Sequence, residues 1–217
     1  MLSSVETGTS LETRRRLLDS AGEVFAEKGY ATATIREICR KAGANIAAVN
    51  YHFGDKEKLY AAVFADSHPK PDLSLGPAEL AGLSPEDRLR VFIRSFMKPL
   101  LDPGRPSCHG RLMAREMSEP TGIFDAFVEN EVRPRVTMLQ EIIRDLAGDL
   151  PPRAIAKCCM SVVGQMLHYH HARPVNKRIS PIYADLDQHV EELVDQITRF
   201  SLGGIRAIAD RYRKGSP

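Results

Sequence analysis

A glycine divides the most informative stretch of the chain, TIREICRKAGANIAAVNYHF at residues 34–53, into two short helical patterns. In the first pattern, apolar residues follow Ile35 at i+3, i+4 and i+7, which places them on one face of a helix. Gly43 predicts the end of this helix, because glycine readily adopts the positive φ that closes one. Asn45 predicts the N-cap of a second helix over residues 46–52. Two short helices joined by a tight turn predict a helix-turn-helix.

The second of these helices is predicted to expose small side chains beside aromatic ones. Val49 and Phe53, at i and i+4, are expected to face the core. The opposite face then presents Ala47, Ala48, Tyr51 and His52. Small side chains let a helix enter the major groove of DNA, which is about 12 Å wide. This pattern is typical of a DNA recognition helix.

The same stretch resembles the TetR family of bacterial transcriptional repressors. Three segments match the DNA-binding part of that family: TIREI at 34–38, AGAN at 42–45 and HFGDKEKLY at 52–60. Two segments are also similar to the CecR-like branch of this family: ANIAAVNYHFGDKE at 44–57 and, further along, RLMAREMSEPTGIFDAFVENEVRPRV. The resemblance implies a homodimer that binds double-stranded DNA at a palindromic operator and is released by a small apolar or aromatic effector.

The resemblance also assigns roles in DNA binding. It implies phosphate contacts for Thr34, Arg36, Asn45, Tyr51, His52 and Lys56, and places Ala47, Ala48 and Asn50 nearest to base edges. Asn50 stands where the family usually has an aromatic residue, and Ala47 where it usually has glycine. Asn50 can read an adenine through two hydrogen bonds, or bond only to a phosphate.

Overall charge says little about a nucleic-acid partner. The net charge is +2, and the first sixty residues carry nine Lys and Arg against eight Asp and Glu. DNA binding would therefore depend on where the cations lie, namely at Arg14–Arg16, Arg36, Arg40, Lys41, Lys56 and Lys58. The three arginines at 14–16 face a phosphate backbone in one interpretation and only solvent in the other.

The remaining patterns predict an all-α chain of two domains. Residues 1–8 are expected to form a flexible arm, 9–66 the helix-turn-helix domain, 67–83 a linker and 84–217 a helical domain for effector binding and dimerisation. Thr9 and Glu12 predict a capping box for the first helix, which Gly29 is expected to end, and Thr34 and Glu37 predict a capping box for the helix at 35–42. Asp55 predicts the cap of the helix that follows it, and Pro134 predicts a bend in the helix over 121–146. Further helices are expected over about 56–66, 84–101, 109–118, 121–146, 152–171 and 186–212.

The last two helices carry long apolar stripes. In the TetR-like interpretation they pair with their copies in a four-helix bundle. The residues predicted for this interface are Cys159, Val163, Met166, Val194, Ile197, Ser201 and Ile205. The alternative is an ordinary core within one chain.

A candidate effector site is inherited from the resemblance. Its predicted lining is Phe96, Met113, Met117, Phe124, Phe127, Met166 and His170. Arg111, Arg115 and Glu116 either orient such a ligand or are surface charges. Most of the apolar members equally fit an ordinary core, because buried Met and Phe pack everywhere.

Other functional classes receive little support. His168 and His171, at i and i+3, suggest a metal site to which Cys108 and His109 would add ligands, but two histidines are too few alone, and structural roles are favoured. No catalytic motif stands out, so we expect neither an enzyme nor a cofactor. No apolar run reaches the roughly eighteen residues of a membrane span, the first ten residues lack a signal peptide's apolar core, and four cysteines without zinc spacing fit the cytoplasm. The rival interpretation is a DNA-binding architectural or partner-regulated dimer without a small-molecule switch.

Overall fold

The computed structural model describes residues 8–67, 80, 82–102, 108–181 and 189–215. Most of the predicted arm at 1–8 and of the predicted linker at 67–83 lies outside these ranges. Within them every regular element is a helix and no strand occurs, which confirms the predicted all-α class.

Eleven helices are described in these ranges, and we number them in chain order. They are α1 (Gly8–Thr32), α2 (Ile35–Ala42), α3 (Ile46–His52), α4 (Lys56–Ser67), α5 (Pro85–Leu100), α6 (His109–Ser118), α7 (Gly122–Phe127), α8 (Arg133–Ala147), α9 (Pro152–His171), α10 (Arg173–Ile179) and α11 (Val190–Arg213). A π-helical turn, Val128–Val132, joins α7 to α8.

The chain divides into two compact units. The first comprises Met1–Pro69 and Gly104–Ala126, so it contains α6 as well as α1–α4. The second comprises Lys70–Pro103 and Phe127–Pro217. The helix-turn-helix therefore shares its compact unit with a segment that begins about fifty residues further along the sequence.

Local signals fix the helix ends of the first unit as the sequence predicts. Thr34 Oγ1 accepts the Glu37 amide at 3.3 Å. Gly43 closes α2 with φ 61° and ψ 38°, and Asn45 Oδ1 accepts the Ala48 amide at 2.8 Å at the start of α3. Asp55 Oδ1 caps α4 through the Lys58 amide at 2.8 Å. These caps satisfy amides that a helix start otherwise leaves without partners.

Two capping boxes are incomplete. Glu37 was expected to bond back toward Thr34, but its carboxylate pairs with Lys28 Nζ at 2.5 Å. Thr9 is not an N-cap, because it lies inside α1, where its carbonyl accepts the Thr13 hydroxyl. Gly29 does interrupt the helix as predicted, with φ 79° and ψ 166° between the long part of α1 and its last turn.

The long helix predicted over 121–146 is confirmed as one continuous helical stretch over 122–147, although it is not a uniform α-helix. A π-helical turn divides it into α7 and α8. Pro134, expected only to bend this helix, is the second residue of α8 and has no amide to bond four residues back. The Arg133 amide bonds to the Val128 carbonyl five residues back, the spacing of a π-helix.

The second unit is a helical layer around one apolar core. Fully buried residues of this core include Leu89, Ile93, Leu139, Ile143 and Val194, from α5, α8 and α11. The sequence did not predict α10, a short helix whose second residue is a proline. Ser84 and Pro85 begin α5 as predicted, with Ser84 Oγ accepting the Asp87 amide at 3.1 Å.

None of the helices in the described ranges combines the length and the apolar character needed to cross a membrane.

We expect Gly43→Ala to destabilise the protein by about 1 kcal/mol, because a side chain at positive φ clashes with its own backbone. A Cβ at Gly43 would meet nothing within 4 Å, so packing should add nothing to this cost. Urea unfolding of the variant measures the change. Gly110→Ala, where a Cβ also meets nothing but φ is not positive, is the control. Equal stability of the two variants would contradict the explanation.

Candidate nucleic-acid interface

Helix α3 turns one face inward and leaves the other open to solvent. Val49 is fully buried and Phe53 nearly so, which confirms their predicted inward orientation. Ala47, Asn50 and Tyr51 are exposed, and the Tyr51 side chain is 72% exposed. An exposed tyrosine between small and polar neighbours leaves α3 free to approach another molecule closely.

The two caps that start α2 and α3 are also candidate phosphate contacts. Asn45 uses its side-chain oxygen to cap α3, so its amide nitrogen remains available as a donor. Thr34 uses its oxygen as an acceptor in the same way and keeps its hydroxyl proton. Both side chains are exposed at the N-terminal ends of their helices. Their donors can therefore contact an anion while each cap stays intact.

The cations around the helix-turn-helix differ in their availability. Lys28 pairs with Glu37 and Lys41 with Glu23, each at 2.5 Å. Arg36 and Arg40 on α2 are exposed and form no ion pair within the described residues. We therefore assign the free positive charge of α2 to these two arginines.

His52 and Lys56 are held more tightly than the sequence suggests. Both are half-buried. Lys56 Nζ donates to the Ala31 carbonyl at 3.3 Å and lies 4.7 Å from the centre of the Tyr30 ring. Burial lowers the pKa of Lys56. The His52 ring stacks edge-on against Tyr51, with ring centres 4.9 Å apart.

Sequence reasoning missed two features of this surface. Ile46, at the first position of α3, is exposed despite being apolar. Arg14 lies over the Phe53 ring, 5.2 Å from its centre, and so contacts the residue that ends α3. No local pattern signals the Arg14 contact, because the two residues are distant in sequence. It gives Arg14 a packing role beyond either interpretation of the arginine run.

The residues predicted for the dimer interface are used within the chain itself. Met166, Val194 and Ile197 are almost completely inaccessible to solvent, as are Cys159, Ser201 and Ile205, and Val163 packs against the same core. Gln165 Nε2 also donates to Ser201 Oγ at 3.2 Å, which joins α9 to α11. Of the seven predicted interface residues, only the partly buried Val163 therefore keeps surface that a partner can contact on the single chain.

The predicted effector-site residues are divided between the two units. Met113, Met117 and Phe124 belong to the first, whereas Phe96, Phe127, Met166 and His170 belong to the second. Met117 is 69% exposed, and Met166 is fully buried in the core, against which Phe96 packs. No unit brings all seven together on its own.

The histidine pair of α9 gains no metal-binding partners. Across the described ranges, no three His, Cys, Asp or Glu side chains gather as metal ligands do. The side chain of His109, a suggested further ligand, lies outside the described residues.

Comparison with known proteins identifies both parts of the chain. A sequence model of bacterial regulatory proteins of the tetR family matches residues 17–63. A second, described as the C-terminal domain of the HTH-type transcriptional dual regulator CecR, matches residues 85–205, more than half of the chain.

Individual relatives agree with these matches. CecR of Shigella flexneri is 47% identical over 150 residues, which cover 63% of this chain and 66% of CecR. The HTH-type transcriptional regulator SrpR of Pseudomonas putida is 43% identical over 70 residues, 30% of this chain and only 33% of SrpR. The chain thus spans about a third of SrpR and about half of TtgW from the same species.

A solved structure shows the same fold. HlyIIR, a hemolysin II transcriptional regulator, superposes with a TM-score of 0.55 at 21% identity, covering 84% of this chain and 97% of HlyIIR. The exposed face of α3, the free arginines of α2 and these matches lead to one conclusion. The chain belongs to the TetR family of bacterial regulatory proteins, in its CecR branch.

Proposed function

We propose that this protein is a cytoplasmic, homodimeric repressor that binds a palindromic operator through α3 and is released by a small apolar or aromatic effector. The observation that carries the proposal is the exposed face of α3 beside the free arginines of α2. Tyr51 and Asn50 project from this face, and Arg36 and Arg40 lie on the preceding helix.

The proposed DNA contacts divide into two kinds. Arg36, Tyr51 and the caps Thr34 and Asn45 present donors that suit phosphates, which fix position without reading sequence. Asn50 and the small Ala47 are exposed on α3 itself, where base edges in the major groove would lie. Ala48, His52 and Lys56 complete the proposed set from half-buried positions.

We expect Tyr51→Ala to weaken binding to every DNA sequence by about tenfold, because it removes a hydrogen bond to a charged phosphate. Asn50→Ala should instead relax the preference at one base pair, by about 1–3 kcal/mol if Asn50 reads adenine. Fluorescence anisotropy on fragments of the protein's own upstream intergenic DNA, across a salt series, measures both.

Arg133→Ala serves as the matched control, because Arg133 is an exposed arginine of α8 that pairs with Glu129 and lies outside the proposed DNA and dimer surfaces. It should leave DNA binding unchanged. If Asn50→Ala lost affinity equally on operator and on scrambled DNA, the assignment of Asn50 to base reading would be wrong. Weak, sequence-blind binding by the unmodified protein would favour the architectural alternative.

A different face of the two long helices supports the proposed dimer. On α9, the exposed stripe contains Ala156, Met160 and Gly164, and Met160 is 74% exposed. On α11 it contains Phe200, Gly203, Gly204 and Ala207, and Phe200 is 67% exposed. Small residues beside large apolar ones allow helices to approach closely, as in a four-helix bundle. We propose this outward face for the interface instead of the buried stripe.

The glycines of this face provide a sharp test. A Cβ at Gly203 would meet nothing within 4 Å in the single chain. Gly203→Leu should therefore leave the chain folded and convert the dimer to monomers, as sedimentation velocity would show. Gly110→Leu on α6, also with open space around it, should stay dimeric. A dimeric Gly203→Leu variant would exclude this face.

The proposed effector response rests on the family resemblance and on the apolar residues of α5, α6, α7 and α9. Adding small aromatic compounds to the preformed complex of protein and operator distinguishes an effector-released repressor from a DNA-binding dimer that has no small-molecule switch. An effector should release the DNA and, by linkage, bind more weakly when operator is present. A compound that releases the DNA without binding the protein acts on the DNA itself and would not be an effector.

A second mode of regulation has a specific basis. The relative in Shigella flexneri is named a dual regulator, so activation of some genes is the alternative to repression alone. Transcript levels in a strain lacking the protein distinguish the two. Loss of a repressor raises the levels of its target transcripts, whereas loss of a dual regulator raises some transcripts and lowers others.

A further inference from the structure

Two adjacent residues of α6 bond to the helices on either side of the helix-turn-helix. Arg115 Nε donates to the Ala26 carbonyl at 3.0 Å, and its Nη2 donates to the Glu27 carbonyl. Glu116 accepts the Tyr60 hydroxyl of α4 at 2.5 Å. All of these residues belong to the first compact unit. We call this pair the Arg115–Glu116 clamp.

Arg115 lies where α1 is interrupted. The carbonyls at the end of a helix lack intrahelical partners, and a cation there also interacts favourably with the helix dipole. The interruption occurs at Gly29, and a Cβ at Gly29 would lie 3.1 Å from Arg115 Nη1. Only four residues lie between Gly29 and Thr34, the N-cap of α2. Arg115 therefore fixes the direction in which the chain enters the helix-turn-helix.

Glu116 bonds to α4, the helix that follows the helix-turn-helix. Its side chain is buried, with 1% of the residue exposed. Besides the Tyr60 hydroxyl, it accepts the Thr121 amide at 2.9 Å and the Thr121 hydroxyl at 3.1 Å. A buried carboxylate is tolerated only with such partners. Burial and the Glu116 hydrogen bond raise the pKa of Tyr60, so its phenol stays a donor.

Tyr60 carries this contact into the core beneath the helix-turn-helix. Its ring lies 4.8 Å from that of Phe25 and 5.0 Å from that of Tyr30. Tyr30 is the first residue after the interruption in α1. The aromatic cluster therefore connects α1 to α4, and Glu116 joins α6 to it through Tyr60.

We propose that Arg115 and Glu116 are positioning residues for DNA recognition. They hold the segments that enter and leave the helix-turn-helix, and so set the angle at which α3 meets a major groove. Through Thr121, Glu116 also ties this geometry to the corner between α6 and α7. The role in operator binding rests on the function proposed above, whereas the mechanical role does not.

The first test compares operator and scrambled DNA. Glu116→Gln keeps the size of the side chain but replaces one acceptor oxygen by a donor. It should weaken operator binding about tenfold while changing scrambled-DNA binding less than about twofold, because the phosphate-contacting cations remain. Simple loss of folded protein would reduce both affinities by the same factor. Glu119→Gln, at the exposed end of the same helix, should change neither.

Substitutions at Arg115 and at the partners of Glu116 complete this test. Arg115→Met should lower the ratio of operator to scrambled affinity, and Arg115→Lys should restore part of it by donating to one carbonyl. Tyr60→Phe and Thr121→Val should lower the same ratio, and their combination should have less than the product of the two effects, because both act through Glu116. A multiplicative combination, or no rescue by lysine, would contradict the proposal.

A second measurement does not require DNA. Hydrogen exchange of the full chain should show faster exchange at the amides of residues 33–42 and 56–64 in Glu116→Gln and Arg115→Met, but not in Glu119→Gln. Unchanged exchange there would overturn the clamp whatever the DNA result. If exchange rises but the unmodified protein binds no operator, the clamp stands and the proposed function fails.

Discussion

The burial of Val49 and Phe53 decides what the first unit can do. Once these two side chains enter the core, the short helix α3 has only one possible outward face, and that face carries Ala47, Asn50 and Tyr51. A rotation of this helix by one residue would bury a polar side chain and expose Val49, at a cost of about 1.5–3 kcal/mol for the valine alone. Core packing thus fixes the surface that meets DNA.

Contacts distant in sequence then hold this short helix in place. A helix of seven residues is too short to be stable alone, so its orientation depends on its neighbours. Arg14 packs over Phe53 where α3 ends, and Lys56 reaches back to the Ala31 carbonyl. The Arg115–Glu116 clamp adds a segment from much further along the chain. The compact unit that presents α3 is therefore larger than the helix-turn-helix itself.

Local chemistry made much of this predictable. The caps Thr34 and Asn45 and the turn at Gly43 depend on neighbouring residues only, so their residue types were sufficient evidence. The burial of Glu116 was not predictable, because it depends on Tyr60, which is 56 residues away. The apolar stripe of α9 and α11 fitted either an interface with a partner or a core within one chain, and in the structure it lies in this chain's own core. Periodicity identifies a buried face but not what covers it.

The claim that α3 reads a major groove is tested most directly by dimethyl sulfate interference on a DNA fragment that the protein binds. This reagent methylates guanine N7, which lies in the major groove. We predict interference at two patches on one side of the duplex, about 34 Å apart, one for each recognition helix of a dimer. Binding that is insensitive to guanine N7 methylation throughout the protected region would contradict the account.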